Sequence, residues 1–104
     1  MYVHCGNSYS TDSVTQVKEV RDTAMECTIS LGRRLEAECL ECPTWGIGST
    51  PSCSHSSDKF RLMKEMHPGN YTMYDNQQVM LGSCSLGSVA GKVMTRVIGH
   101  YTER

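Results

Sequence analysis

One stretch dominates what this chain can fold into. From about Asp12 to Glu38, Val14, Val17, Val20, Ala24, Cys27, Leu31 and Leu35 recur at steps of three and four. That spacing draws one apolar stripe along a long helix. Ser13-Val14-Thr15-Gln16 resembles a capping box at its start. Lys18, Arg21, Asp22, Glu26, Arg33 and Arg34 fall on the other side and read as a solvated face.

β-prone runs flank this helix. Tyr2-Val3-His4-Cys5 precedes it, followed by a polar loop over Gly6–Ser10. Cys42-Pro43 ends the helical region, and Thr44-Trp45-Gly46-Ile47 reads as a second strand. Residues 54–61 are polar and suit a short helix or turn. Leu62–Met66 is a third extended run, and Tyr71–Asp75 continues from it. Residues 76–91 are Gly- and Ser-rich and read as a connector, and Lys92–Gly99 reads as a further strand. Strand, helix, strand, short helix, strand, connector, strand is an α/β alternation. It implies parallel strands with crossover helices, whose carboxyl-end loops bind ligands.

Two such loops stand out about twenty residues apart. They are Gly48-Ser49-Thr50-Pro51-Ser52 and His67-Pro68-Gly69-Asn70-Tyr71. Each offers backbone N–H groups, small side chains and a glycine without a Cβ, which suits a phosphate or other anion. Thr50 is placed to cap a short helix with Pro51 at its first position, and the helix end would add its partial positive charge. An ordinary turn explains each loop as well, with Gly69 there only to allow a positive φ.

Composition narrows the function. The 104 residues make one domain at most, and 38% hydrophobic with 7% aromatic residues makes a thin core. A net charge of −1 argues against nucleic acid or anionic membrane as partner. No apolar run approaches the ~18 residues of a membrane span. Met1-Tyr2-Val3 leads straight into polar residues, so no signal peptide is expected. The six cysteines then read as reduced thiols in the cytoplasm. Cys39-Leu40-Glu41-Cys42 has the spacing of half a zinc site or a redox pair, with nothing to complete it. His4, His55, His67 and His100 are scattered, and only His67 adjoins an anion loop.

Four segments in order carry a family resemblance: Tyr2–Tyr9, Ile47–Ser52, Glu65–Asp75 and Val93–Tyr101. Together they resemble the eukaryotic D-serine dehydratase and D-threonine aldolase family. These are pyridoxal-phosphate enzymes of the alanine-racemase-like fold, with an N-terminal (β/α)₈ barrel and a C-terminal β domain. The resemblance covers nearly the whole chain and implies a piece of such a protein. Residues 1–75 would be about strands six to eight of the barrel, and residues 76–104 the connector and first strand of the β domain.

The resemblance further implies that Tyr2 and Tyr9 approach the cofactor, and that Thr50, Gly69, Asn70 and Tyr71 bind its phosphate. It implies no catalytic residue here. The Schiff-base lysine belongs to an earlier strand, none of Lys18, Lys59, Lys64 and Lys92 sits in a matching motif, and the zinc ligands lie outside this chain. The implied whole is a homodimer acting on a small D-amino acid, releasing pyruvate and ammonia from D-serine. A D-threonine aldolase piece, a non-catalytic phosphate-binding remnant and a small Cys-based metal or redox protein are the alternatives.

Overall fold

The computed structural model describes residues 1–102. Three short strands, β1 (Tyr2–His4), β2 (Gly46–Gly48) and β3 (Glu65–His67), form one parallel sheet in chain order. Tyr2, Val3 and His4 pair with Gly46, Ile47 and Gly48, which pair in turn with Glu65, Met66 and His67. Strands that advance by one neighbour at each crossover form an arc, with no reversal of strand order. The sheet is the small α/β piece that the alternation implied.

The long helix α1 (Val14–Ala37) crosses from β1 to β2. Ser13 caps it by accepting the N–H of Gln16 at 3.3 Å, while the Gln16 side chain accepts the N–H of Asp12 at 2.8 Å. The capping box therefore closes one residue earlier than its usual form. The buried line on α1 is Val17, Arg21, Met25, Thr28 and Gly32. That line is turned by roughly 60° from the apolar stripe, at 100° per residue. Cys27 is exposed and Leu31 is 45% exposed.

The reason for the turn lies in what α1 packs against. Met25 meets Ile47, Met63 and Cys5 in the core, with Val20, Ala24, Ile29, Trp45 and Phe60 around them. Gly32 is needed where the Trp45 ring lies on the helix, because a Cβ there would overlap the indole. Thr28 satisfies its hydroxyl on the carbonyl of Ala24 at 2.7 Å.

Arg21 was expected on the solvated face and is instead buried. Its Nη1 donates to the carbonyls of His55 and Ser56 at 2.8 and 3.0 Å, and its Nε donates to Asp22 at 2.8 Å. Its guanidinium also lies 5.7 Å from the centre of the Phe60 ring. Those carbonyls follow the short helix α2 (Thr50–Ser54), so a charged side chain buries itself by closing a helix end.

Two further expectations are corrected. The stretch read as a connector contains a short helix, α3 (Asn76–Met80), capped by Asp75, whose carboxylate accepts the N–H of Gln78. This helix packs back on the body: Gln77 donates to the carbonyl of Tyr9, and Leu81 is buried. The strand expected over 92–99 does not form, since no strand edge lies beside it. That segment runs out extended, with Val93, Met94 and Ile98 at least 90% exposed. It accounts for a radius of gyration of 18.9 Å and a long dimension of 72 Å, against ~13 Å expected for the radius of a compact chain of this size.

Candidate functional site

The carboxyl ends of all three strands carry loops, and a chain of hydrogen bonds ties them together. The loop after β1 is a tight turn over Gly6–Ser10. Its Ser8 hydroxyl meets the Ser49 hydroxyl at 2.9 Å, and its Tyr9 hydroxyl accepts the N–H of Thr50 at 3.2 Å. The loop after β3 joins from the other side, where the Asn70 N–H donates to the Thr50 hydroxyl oxygen at 2.7 Å. Ser49 and Thr50 are thus the centre of the assembly.

Ser49, and not Thr50, caps α2: its hydroxyl accepts the N–H of Ser52 at 3.2 Å. It adopts φ 136°, a region that side-chain-bearing residues rarely enter. The bonds to Ser8 and Ser52 hold it there. Pro51 lies in the first turn of α2, where its missing N–H is harmless.

The first loop does not offer free amides, contrary to expectation. Thr50 N–H goes to Tyr9, Ser52 N–H to the Ser49 hydroxyl and Cys53 N–H to the Ser49 carbonyl, and Pro51 has none. Thr50 itself is fully buried, so it enters as a strut beneath the surface. The second loop is the open one. Gly69 has φ −86°, so the positive φ that a plain turn would require of it is not found. Nothing lies within 4 Å of where its Cβ would stand. Its N–H and the Asn70 side-chain amide have no hydrogen-bond partner among the described residues. Tyr71 follows in the turn 70–72 and is 57% exposed.

Tyr2 is separate from this loop assembly and lies on the open face of the sheet. Parallel pairing puts Tyr2, His4, Gly46, Gly48, Glu65 and His67 on that face. Val3, Ile47 and Met66 take the other, which α1 covers at Ile47. The Tyr2 hydroxyl lies 3.0 Å from His4 Nδ1, and its ring centre 4.6 Å from that of His67. Loss of solvent, with Cys5, Cys53 and Tyr9 nearby, pushes the Tyr2 phenol above its ordinary value, so it stays protonated.

Cys5 and Cys53 sit behind the loops, and burial raises both thiols, which makes them weak nucleophiles. Cys39 and Cys42 lie past the end of α1, at the amino end of β2 and away from the loops. Among the described residues no three His, Cys, Asp or Glu side chains are grouped to hold a metal ion.

The resemblance put Tyr2 and Tyr9 near the cofactor and Thr50, Gly69, Asn70 and Tyr71 at its phosphate. Hydrogen bonds link Tyr9, Thr50 and Asn70, Gly69 and Tyr71 flank Asn70, and Tyr2 stands apart on the sheet face. Sequence reasoning did not single out Ser8, nor Ser49 as the cap of α2. Although it marked His67 beside an anion loop, it did not place that residue on one face with His4, Gly48 and Glu65. The alternation Gly46-Ile47-Gly48 was a usable signal, since two glycines two apart in a strand clear one face of a sheet.

A solvent-open polar face beside an unfilled Gly-Asn loop can take a planar group on the face and an anion at the loop. No helix among the described residues is long and apolar enough to cross a membrane. No protein-family model matches the chain. D-serine dehydratase of Dictyostelium discoideum is 35% identical over 107 residues, covering all of this chain and 27% of that protein. D-threo-3-hydroxyaspartate dehydratase of Delftia sp. is 28% identical over 97% of this chain and 26% of its own length. Its solved structure superposes with a TM-score of 0.76 at 26% identity, over 86% of this chain and 23% of that one. An alanine-racemase-like protein of Idiomarina loihiensis gives 0.78 at 25% identity, over 86% and 24%. The chain thus spans about a quarter of the length of the relatives it matches.

Proposed function

We propose that this chain, a segment of the D-serine dehydratase family, supplies the phosphate end of a pyridoxal 5′-phosphate site in a barrel, as about its strands six to eight. The observation that carries the proposal is the joined set of carboxyl-end loops with one open member. The Gly69 N–H, the Asn70 amide and the Tyr9 hydroxyl, whose proton is free because its oxygen accepts from Thr50, would hold the phosphate there. Thr50 keeps Asn70 in place from below, Tyr71 would close the outer side, and Tyr2 would support the planar ring on the open face. The residues present therefore fit the group.

When bound, pyridoxal phosphate supplies an electron sink that lets a D-amino acid lose its α-proton and then its β-hydroxyl, giving pyruvate and ammonia from D-serine. This chain's share is binding and orientation. Its four lysines lie off the open face: Lys18 on α1, Lys59 paired with Glu26, Lys64 before β3 and Lys92 in the extended tail. Zinc, which the resemblance implies for the whole protein, would be held by residues outside this chain. Residues 76–104 lead into the β domain, and the whole protein is a cytoplasmic homodimer. The relatives are named as dehydratases, which favours loss of a hydroxyl over the aldol cleavage of a D-threonine aldolase.

The test uses the full-length protein that carries this segment. Titration with pyridoxal phosphate gives a saturable absorbance change, and D-serine then yields pyruvate. Loss of cofactor affinity in Asn70→Ala is expected. A full-length protein that takes up no cofactor, or whose affinity is unmoved by Asn70→Ala, overturns the proposal.

A further inference from the structure

We infer that His67 is a positioning residue for the site proposed above: its ring, reached across the glycines of β2, holds the Tyr2 ring in place beneath the cofactor. The inference rests on that reading and adds to it a residue and a role.

The geometry is unusual for a sheet. Tyr2 is on β1 and His67 on β3, with β2 between them. Two strand spacings amount to roughly 9.5 Å, yet the two rings stand 4.6 Å apart at 31°. They meet because β2 presents only Gly46 and Gly48 on that face. A Cβ at Gly48 would fall onto the Tyr2 hydroxyl and within 2.8 Å of its Cζ. The Tyr2 ring therefore lies across the middle strand in a trough cut by a glycine.

Both ends of this bridge are tethered. The Tyr2 hydroxyl lies 3.0 Å from His4 Nδ1 on its own strand, and His67 Nε2 donates to Glu65 on its own strand at 3.4 Å. The second contact is long and half exposed, so it restrains little. The ring-to-ring contact is the firmer restraint, since aromatic pairs at 4.5–7 Å gain beyond plain burial. His67 also sits two residues before Gly69, so the ring platform and the open loop share one short segment. His67 thus works as a flat surface and not through its imidazole proton.

The experiment measures pyridoxal phosphate affinity by absorbance titration of the full-length protein that carries this segment. His67→Ala weakens binding about three- to tenfold, the loss of one aromatic contact. His67→Phe, which keeps the ring and removes the proton, stays within about twofold of wild type. In a Tyr2→Ala background, His67→Ala has no further effect. Gly48→Ala, if it folds, matches His67→Ala, and the two His67 variants carry the test if it does not.

His67→Phe as damaging as His67→Ala, or a full effect of His67→Ala without Tyr2, overturns the inference. So does an unchanged His67→Ala in a protein whose Asn70→Ala variant loses affinity, and that outcome leaves the cofactor reading standing. A wild-type protein that takes up no cofactor overturns both.

Discussion

The hydroxyl oxygen of Thr50 accepts the backbone N–H of Asn70 at 2.7 Å, while the Thr50 N–H donates to Tyr9 at 3.2 Å. One buried residue thereby sets the spacing of the loops after β1, β2 and β3. Thr50→Ala leaves the Asn70 N–H without its partner, at about 1–3 kcal/mol. Cofactor affinity in the full-length protein should fall about tenfold, and Thr50→Ser, which keeps the hydroxyl, should retain most of it. On the reading proposed above, Asn70→Ala removes a hydrogen bond to the phosphate, roughly 1.5–3 kcal/mol. Gly69→Val places a branched side chain in the open space at that position and should weaken affinity at least as much. Equal affinities across the set, read by absorbance titration, would make these loops structural turns only.

Gly32→Ala tests the packing of α1, and its sign is informative. In an exposed helix the change gains about 1 kcal/mol. Here the new methyl overlaps the Trp45 indole, and overpacking costs about 1–3 kcal/mol. The net change should be destabilising, seen as a lower urea midpoint with an unchanged slope. A raised midpoint would show that the helix and strand are not in this contact.

Asp22 gives stability a pH dependence. The hydrogen bond from Arg21 holds its carboxyl below the ordinary value, against a smaller opposing effect of burial. A depressed carboxyl contributes stability above its unfolded pKa of about 4 and loses it as pH falls. Asp22→Asn should therefore lower stability at pH 7 and flatten the acid limb below pH 4, in denaturation curves taken across pH. Arg21→Met should cost more, about 1.5–3 kcal/mol, because the carbonyls of His55 and Ser56 lose their donor as well. An acid limb identical in wild type and Asp22→Asn would refute the coupling.

The isolated chain should not behave as a cooperative domain. Among the described residues β1 and β3 each leave an edge unpaired, and the sheet face bearing Tyr2, His4, Glu65 and His67 is uncovered. Parallel sheets need cover on both faces, and ordering the backbone costs roughly 1–2 kcal/mol per residue. Expressed alone, the chain should aggregate or form a loosely packed state with a broad thermal transition. A sharp two-state transition from a monomer would refute this.

What the sequence disclosed was what local periodicity encodes. The long helix and the first strand fall where spacing placed them. β2 and β3 begin two and three residues later than the runs Thr44–Ile47 and Leu62–Met66 implied, Leu62 closing a tight helical turn instead. The direction of α1's buried face was not legible, because polar side chains help make it. Arg21 hides by hydrogen bonds to the carbonyls of His55 and Ser56, which only the tertiary fold supplies, and Thr28 by bonding back to Ala24 in its own helix. The cap at Ser49 was hidden because its positive φ depends on Ser8, some forty residues away in the chain. The strand over 92–99 was legible as a β-prone run, but a strand exists only where an edge receives it. The resemblance supplied the rest, including the cofactor, which no composition or spacing in this chain specifies.

Trp45 is the chain's one tryptophan, and its indole N–H is buried without a hydrogen-bond partner among the described residues. It stands at the amino end of β2, at the opposite end of the sheet from the carboxyl-end loops. The molecule therefore carries a built-in fluorophore for a single event, the seating of α1 on the sheet. Blue-shifted emission follows docking of that helix and shifts to the red when it lifts away. Assembly of the arc can be timed by this signal alone, without any added dye.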